Sequence, residues 1–223
     1  MPITVKMTSD FICPWCLIGE KRLFRAVDSL PEGIRVEVEW LPFELNPDMP
    51  REGMDRRSYR ARKFGSWERS QALDAQTVAA AQAEDIRFDY DRIARTPNTF
   101  AAQQVSWLAA REGRQRAVVD GLLDGYFGRG RDIGDPEVLA GIAGEAGLDP
   151  ARVRRFLADE EGAAAVRALE ASARRAGVQG VPQFDIDGTA VTGALRWELL
   201  RQALLDAQAR KVADAAARSA AAE

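Results

Sequence analysis

The chain has two cysteines among its 223 residues, and they stand three apart, at Cys13 and Cys16. Between them lie Pro14 and Trp15, and before them Ser9-Asp10-Phe11-Ile12. A Cys-x-x-Cys pair inside a strand–helix–strand pattern reads as a dithiol redox site. Two thiols at this spacing close a small disulfide ring and reopen it. At the start of a helix, unpaired backbone N–H groups and the helix dipole favour an anion, so Cys13 is the expected nucleophile. Cys16, one turn inward, is expected to resolve the mixed disulfide that Cys13 forms. Pro14 suits the first helical position, where no N–H is needed and φ is already set. Trp15 is expected to offer substrate an apolar contact beside the thiol.

Two other readings of the pair are weaker. Half of a zinc site needs further Cys or His ligands, and the chain has no other cysteine and no histidine. No metal is therefore expected. A structural disulfide closing so short a loop removes little unfolded-state entropy, and an intracellular chain rarely keeps one. The missing histidine also removes Ser-His-Asp and Cys-His catalysis. Asp10 is close enough in sequence to carry a proton for Cys16, or else to cap the helix that follows.

The positioning elements follow from periodicity. Ile3, Val5 and Met7 alternate with Thr4, Lys6 and Thr8, a strand pattern. A helix is expected over Cys13–Leu30, with Cys16, Leu23, Val27 and Leu30 near one face. Pro31-Glu32-Gly33 stops it, and Ile34–Trp40 alternates again. Strand, helix, strand of this length is a parallel βαβ unit. Three prolines in Leu41–Pro50 carry the chain away from the sheet. Residues 55–175 read as helical, and Arg56–Arg69 reads as one basic helix, either an anion patch or, more simply, a solvated face. Asp135-Pro136 and Asp149-Pro150 look like helix starts. Strand signals return at Val181–Ile186 and Thr189–Thr192 around Asp187-Gly188, a hairpin turn. A closing helix is expected over Arg196–Arg210, and no function is assigned to the Ala-rich tail 211–223.

The bulk composition narrows the partners. Hydrophobic content of 46% supports a core, and a net charge of −3 argues against nucleic acid or an anionic membrane surface. No run is long and apolar enough for a membrane span, and the first residues do not resemble a signal peptide. The default compartment is the cytoplasm; monomer and homodimer both stay open.

Taken in order, several motifs resemble the DsbA-type thioredoxin-fold oxidoreductases, in particular the cytoplasmic FrnE-like branch. They are Asp10-Phe11-Ile12-Cys13-Pro14-Trp15-Cys16, Pro42-Phe43-Glu44-Leu45-Asn46-Pro47, Pro97-Asn98-Thr99, Tyr126-Phe127 with Gly130-Arg131-Asp132-Ile133, and Gly180-Val181-Pro182. The resemblance covers roughly residues 3–207. It implies an α/β thioredoxin fold, in two parts at 1–48 and 176–210, split by an all-helical insertion over 49–175. It implies a cis Val181–Pro182 peptide facing the dithiol, with the Val181 backbone pairing with a bound substrate strand. Phe43, Asn46, Asn98 and Gln103 are the further substrate-contact candidates. Two departures stand out. Family members often carry His near Gln103 and Gln104, and the periplasmic relatives carry His where this chain has Trp15, so a milder oxidant is expected here.

The implied activity is thiol–disulfide exchange on a protein or small-molecule disulfide or dithiol, with no bound cofactor. The alternative is a glutathione-dependent isomerase or transferase of the 2-hydroxychromene-2-carboxylate isomerase type, which resembles this chain around Phe43, Asn46-Pro47 and Val181-Pro182. There glutathione would be the co-substrate and the second cysteine would be dispensable. A third reading is a redox-sensing or chaperone-like module without turnover.

Overall fold

The structure, a computed structural model, describes residues 2–220. Strand β1 (Ile3–Ser9) runs into helix α1 (Pro14–Asp28) and back along β2 (Val36–Pro42). The two strands pair in parallel with Ile3 opposite Val36 and Met7 opposite Trp40, so the alternation in both is matched across the ladder. Ile3, Val5 and Met7 are at most 1% exposed.

The chain then leaves the sheet. A two-residue strand β3 (Met54–Asp55) leads into α2 (Arg56–Phe64) and α3 (Trp67–Ala81). Strand β4 (Arg95–Thr96) pairs with β3, so the insertion is helical apart from this short ladder. Helices α4 (Phe100–Arg111) and α5 (Gln115–Leu123) follow, with α5 passing into a π-helical turn over Asp124–Gly128. Three more helices complete the insertion: α6 (Pro136–Glu145), α7 (Pro150–Ala158) and α8 (Ala163–Arg175). Asp135 and Asp149 cap α6 and α7 through their side chains, each with proline in the first turn.

Strands β5 (Gln183–Ile186) and β6 (Thr189–Thr192) form a hairpin around Asp187-Gly188. β5 pairs antiparallel with β1, giving the order β2-β1-β5-β6. Helix α9 (Trp197–Ala220) packs on α1, β1 and β5 and runs through most of the Ala-rich tail. Among the described residues no helix is long and apolar enough to cross a membrane.

The basic stretch Arg56–Arg69 is two helices, not one. Gly65 has φ +94, a left-handed conformation that a side chain resists, and Ser66 caps α3 by accepting the Arg69 N–H. Nor is the face simply solvated. Arg57, Arg62 and Lys63 are exposed, whereas Arg56 is buried and, with Arg60, grips Asp74 of α3.

Candidate active site

The dithiol sits where β1 turns into α1. Cys13 is the N-cap of α1 in extended conformation, Pro14 opens the first turn, and no side chain caps that helix end. The Cys16 N–H bonds the Cys13 carbonyl oxygen at 3.0 Å, and the Cys13 sulfur stands at this open end of the helix. Cys13 is 5% exposed, Cys16 is fully buried behind it, and Trp15 is 39% exposed at the rim. The thiol of Cys13 donates to the Val181 carbonyl oxygen at 3.5 Å, across 168 residues of sequence. The Val181–Pro182 peptide is cis.

Gly19, one turn beyond Cys16, makes this approach possible. A Cβ there would lie 3.0 Å from the Pro182 ring and 3.2 Å from the Phe184 ring. Glycine lets α1 lie directly against the proline turn.

Burial pushes the Cys16 thiol up, and the hydrogen bond and charge of Cys13 push the same way. Asp10 is fully buried beside it. Its Oδ2 accepts the Leu45 N–H at 2.7 Å, while Oδ1 has no hydrogen-bond partner among the described residues. Burial outweighs these bonds and pushes the carboxyl up to about 6. Asp10 is not a helix cap: it holds the chain after β2 instead.

A cavity of about 310 Å³ opens at Cys13. One wall is Ile12, Cys13, Pro14, Trp15 and Leu45; the facing wall comes from the insertion. That second wall includes Tyr59, Arg60, Lys63, Phe64, Asp74 and Tyr126. The floor is rigid. Arg56 and Arg60 reach the two oxygens of Asp74 at 2.7 and 2.6 Å, and the Arg56 guanidinium stacks on Tyr90, 5.2 Å from the ring centre. Tyr126 comes from the π-helical turn, and burial pushes its phenol up. Such turns recur at functional sites.

The sequence candidates divide. Cys13, Pro14 and Trp15 line the cavity, the Val181 carbonyl meets the Cys13 thiol, and Pro182 packs against α1 at Gly19. Asn46 lies just behind the wall: its Oδ1 accepts from the Tyr59 hydroxyl at 2.5 Å and from Lys63 at 2.9 Å. Three others do not meet the cavity. Phe43 is 3% exposed, under the Arg174 guanidinium at 4.4 Å. Gln103 is buried and donates to the Ser9 and Phe43 carbonyls at 3.1 and 3.2 Å, tying the ends of β1 and β2 together. Asn98 donates to the Met49 carbonyl at 2.7 Å and faces a separate cavity. Tyr59 and Asp74 carry no signal in the sequence that marks them as site residues; Arg60 and Lys63 fall in the basic stretch read as an anion patch or a solvated face, which by itself does not place them at the dithiol. The i,i+4 spacing of Tyr59 and Lys63, and of Arg56 and Arg60, puts each pair on one face of α2, but nothing local says that this face looks at Cys13.

The sequence pattern of the DSBA-like thioredoxin domain matches residues 4–205. The chain belongs to the DsbA-like thioredoxin family. Members of that family are disulfide oxidoreductases and isomerases, so the protein is an enzyme of that class. A probable DsbA oxidoreductase from Streptomyces coelicolor is 34% identical and superposes with a TM-score of 0.85, over 93% of this chain and 90% of that one. The uncharacterized protein YwbO of Bacillus subtilis (strain 168) is 28% identical over 212 residues, 95% of this chain and 100% of its own length. More distantly, 2-hydroxychromene-2-carboxylate isomerase shares the fold at 16% identity and a TM-score of 0.72, over 95% of this chain and 98% of that one.

Proposed function

We propose that the protein is a FrnE-like thiol–disulfide oxidoreductase working through Cys13-Pro14-Trp15-Cys16. What supports this most is the joint placement of the two sulfurs: Cys13 at a bare helix end on a cavity, Cys16 sealed directly behind it. The Cys13 thiolate attacks one sulfur of a substrate disulfide. That S–S bond breaks, one half leaves as a thiolate, and the other stays on Cys13 as a mixed disulfide. Cys16 then gives up its proton and its sulfur attacks Cys13. The Cys13–Cys16 disulfide forms, and the second half leaves as a thiolate. The dithiol has lost two electrons and the substrate has gained them; the reverse sequence oxidises a substrate dithiol. Asp10 is the group next to Cys16 that takes the proton, since burial raises its carboxyl to about 6 and its Oδ1 has no well-formed hydrogen bond among the described residues. The Val181 backbone receives an extended substrate beside Cys13. A lone cysteine pair of this kind suits a reducing compartment, the cytoplasm.

Cys16→Ser is expected to trap substrate on Cys13 as a covalent adduct seen by mass spectrometry, and Cys13→Ser to abolish it. No adduct with any disulfide, together with insulin reduction no faster than the uncatalysed control, overturns the assignment.

A second reading, the glutathione-dependent isomerase or transferase, is favoured by the cavity itself. Its 310 Å³ suits a small molecule, and Arg60 and Lys63 outnumber Asp74 on its wall, which suits an anionic co-substrate such as glutathione. The fold is shared with the cytosolic disulfide reductase DsbM of Pseudomonas aeruginosa with GSH, at 18% identity and a TM-score of 0.60 over 95% of this chain and 98% of that one. Isomerase activity that survives Cys16→Ala, with glutathione binding by calorimetry, decides for this reading.

A further inference from the structure

Cys16 has no exposed surface, and Asp10 has none either. A proton that passes from one to the other is still inside the protein. Next to the Leu45 amide that Asp10 holds stands Glu44, 4% exposed, with an Oε1 that has no hydrogen-bond partner among the described residues. Glu170 of α8 is next to it: the Glu44 N–H bonds to its carboxyl, and Glu170 is 7% exposed with an Oε1 that has no partner among the described residues. Three acids from β1–α1, the end of β2 and α8 thus lie within electrostatic reach of one another, each with a carboxyl oxygen lacking a partner among the described residues. Buried carboxyl oxygens are normally satisfied, so three together ask for an explanation.

Glu44 also forms part of the wall of a second cavity, about 540 Å³, whose lining does not include Cys13. We propose that Glu44, set against Glu170, is the outlet by which the Cys16 proton passes from Asp10 to solvent in this second cavity. The proposal rests on the dithiol reading above and adds its exit path. The proton leaves the Cys16 thiol as its sulfur bonds to Cys13, moves to Asp10, then to Glu44, and out; the substrate thiolate takes up a proton from solvent, so charge and atoms balance. Glu44 is a positioning and relay residue that never touches substrate.

The surroundings suit a group that changes charge. Glu44 faces the carboxyls of Glu170 and Asp10 and the guanidiniums of Arg167 and Arg174. Across the cavity stand Asp132, Asp135, Glu52 and the Arg51–Glu160 pair. Arg174 is bonded to the Glu44 carbonyl oxygen at 2.9 Å, which fixes the backbone and leaves the carboxyl free. Burial first, then Glu170 and Asp10, push the Glu44 carboxyl up to about 8.

The test separates the two sulfur steps in full-length protein. Reduced enzyme is mixed with an aromatic disulfide whose released thiolates absorb light: the first release reports Cys13 attack, the second Cys16 resolution. In the wild type the second phase is expected to accelerate with pH through a break near 8, because only ionised Glu44 accepts a proton. Glu44→Gln is expected to leave the first phase unchanged, slow the second about tenfold and remove the break; Glu44→Asp restores both. Glu170→Gln, which removes a neighbouring charge, moves the break to lower pH and serves if Glu44→Gln does not fold. Glu20→Gln, a buried acid of α1 outside the cluster, changes neither phase. A second phase in Glu44→Gln that superimposes on wild type, or one that Glu44→Asp leaves slow, overturns the outlet. A wild type that never gives a second phase overturns the dithiol reading instead, and the outlet with it.

Discussion

Two buried aspartates flank the dithiol, and they are handled in opposite ways. Asp74, 8% exposed, spends both oxygens on Arg56 and Arg60 and so welds α2 to α3 as the far wall of the cavity. Asp10, with no exposure, faces no cation: Oδ2 accepts the Leu45 amide, Thr99 and the Phe11 and Ile12 amides stand near the carboxyl, and Oδ1 has no well-formed hydrogen bond among the described residues. Ion-paired burial makes a fixed scaffold, because removing either partner strands a charge. Uncompensated burial makes a group that exchanges its proton near neutral pH, because desolvation penalises the charged form. Of these two aspartates, the one from the insertion serves as scaffold and the one at the junction of β1 with α1 is titratable.

The contrast is sharpest in stability. Asp74→Asn leaves two largely buried guanidiniums beside each other without their shared carboxylate and is expected to cost about 3–5 kcal/mol in urea unfolding. A loss below about 1 kcal/mol would mean that the Arg56–Arg60–Asp74 cluster is no scaffold.

Asp10→Asn is expected to go the other way. The Asp10 carboxyl is raised from 3.8 to about 6, so the folded state holds its proton more tightly than the unfolded state. Its contribution is fully present below about pH 4 and is lost as pH rises through 6. At pH 7.5 the amide, which still accepts the Leu45 N–H, is expected to stabilise by on the order of 2 kcal/mol and to flatten the dependence between pH 4 and 7. The same substitution is expected to slow release of the second thiolate, a trade of activity for stability. Asp10→Asn with reduced stability at pH 7.5 would put the two aspartates in one class.

The smallest effect concerns the edge of the cavity. Tyr59→Phe removes the hydroxyl that bonds Asn46 and accepts from Lys63. It is expected to cost about 1 kcal/mol in unfolding while leaving the rate of Cys13 alkylation by iodoacetamide unchanged. A several-fold change in that rate would connect the Tyr59–Asn46–Lys63 group to the nucleophile itself.

Much of this architecture is legible in the amino-acid sequence. The β1–α1–β2 unit announces itself through period-two alternation in Ile3–Met7 and Val36–Trp40, and through the Pro14 start of α1. The hairpin turn at Asp187-Gly188 and the capped starts of α6 and α7 are equally local. Gly65-Ser66 carries the signal that divides α2 from α3, but the uniform run of basic residues around it conceals the break. Asn98 and Gln103, expected near substrate, instead bond main-chain carbonyls. A polar side chain beside a motif looks the same in sequence whether it serves a ligand or its own backbone.

Residue order alone dictates the chemistry on offer: one dithiol, no histidine, a proline to open its helix, and the strands on either side. Those are matters of spacing within a few residues, where backbone geometry and hydrophobic period act directly. What surrounds that chemistry came from the folded chain. Folding set Val181 against Cys13 across 168 residues, faced the dithiol with α2 and α3, matched the charge of Asp74 and left that of Asp10 unmatched. Burial and charge compensation depend on which distant segments share a volume, and no local pattern encodes that.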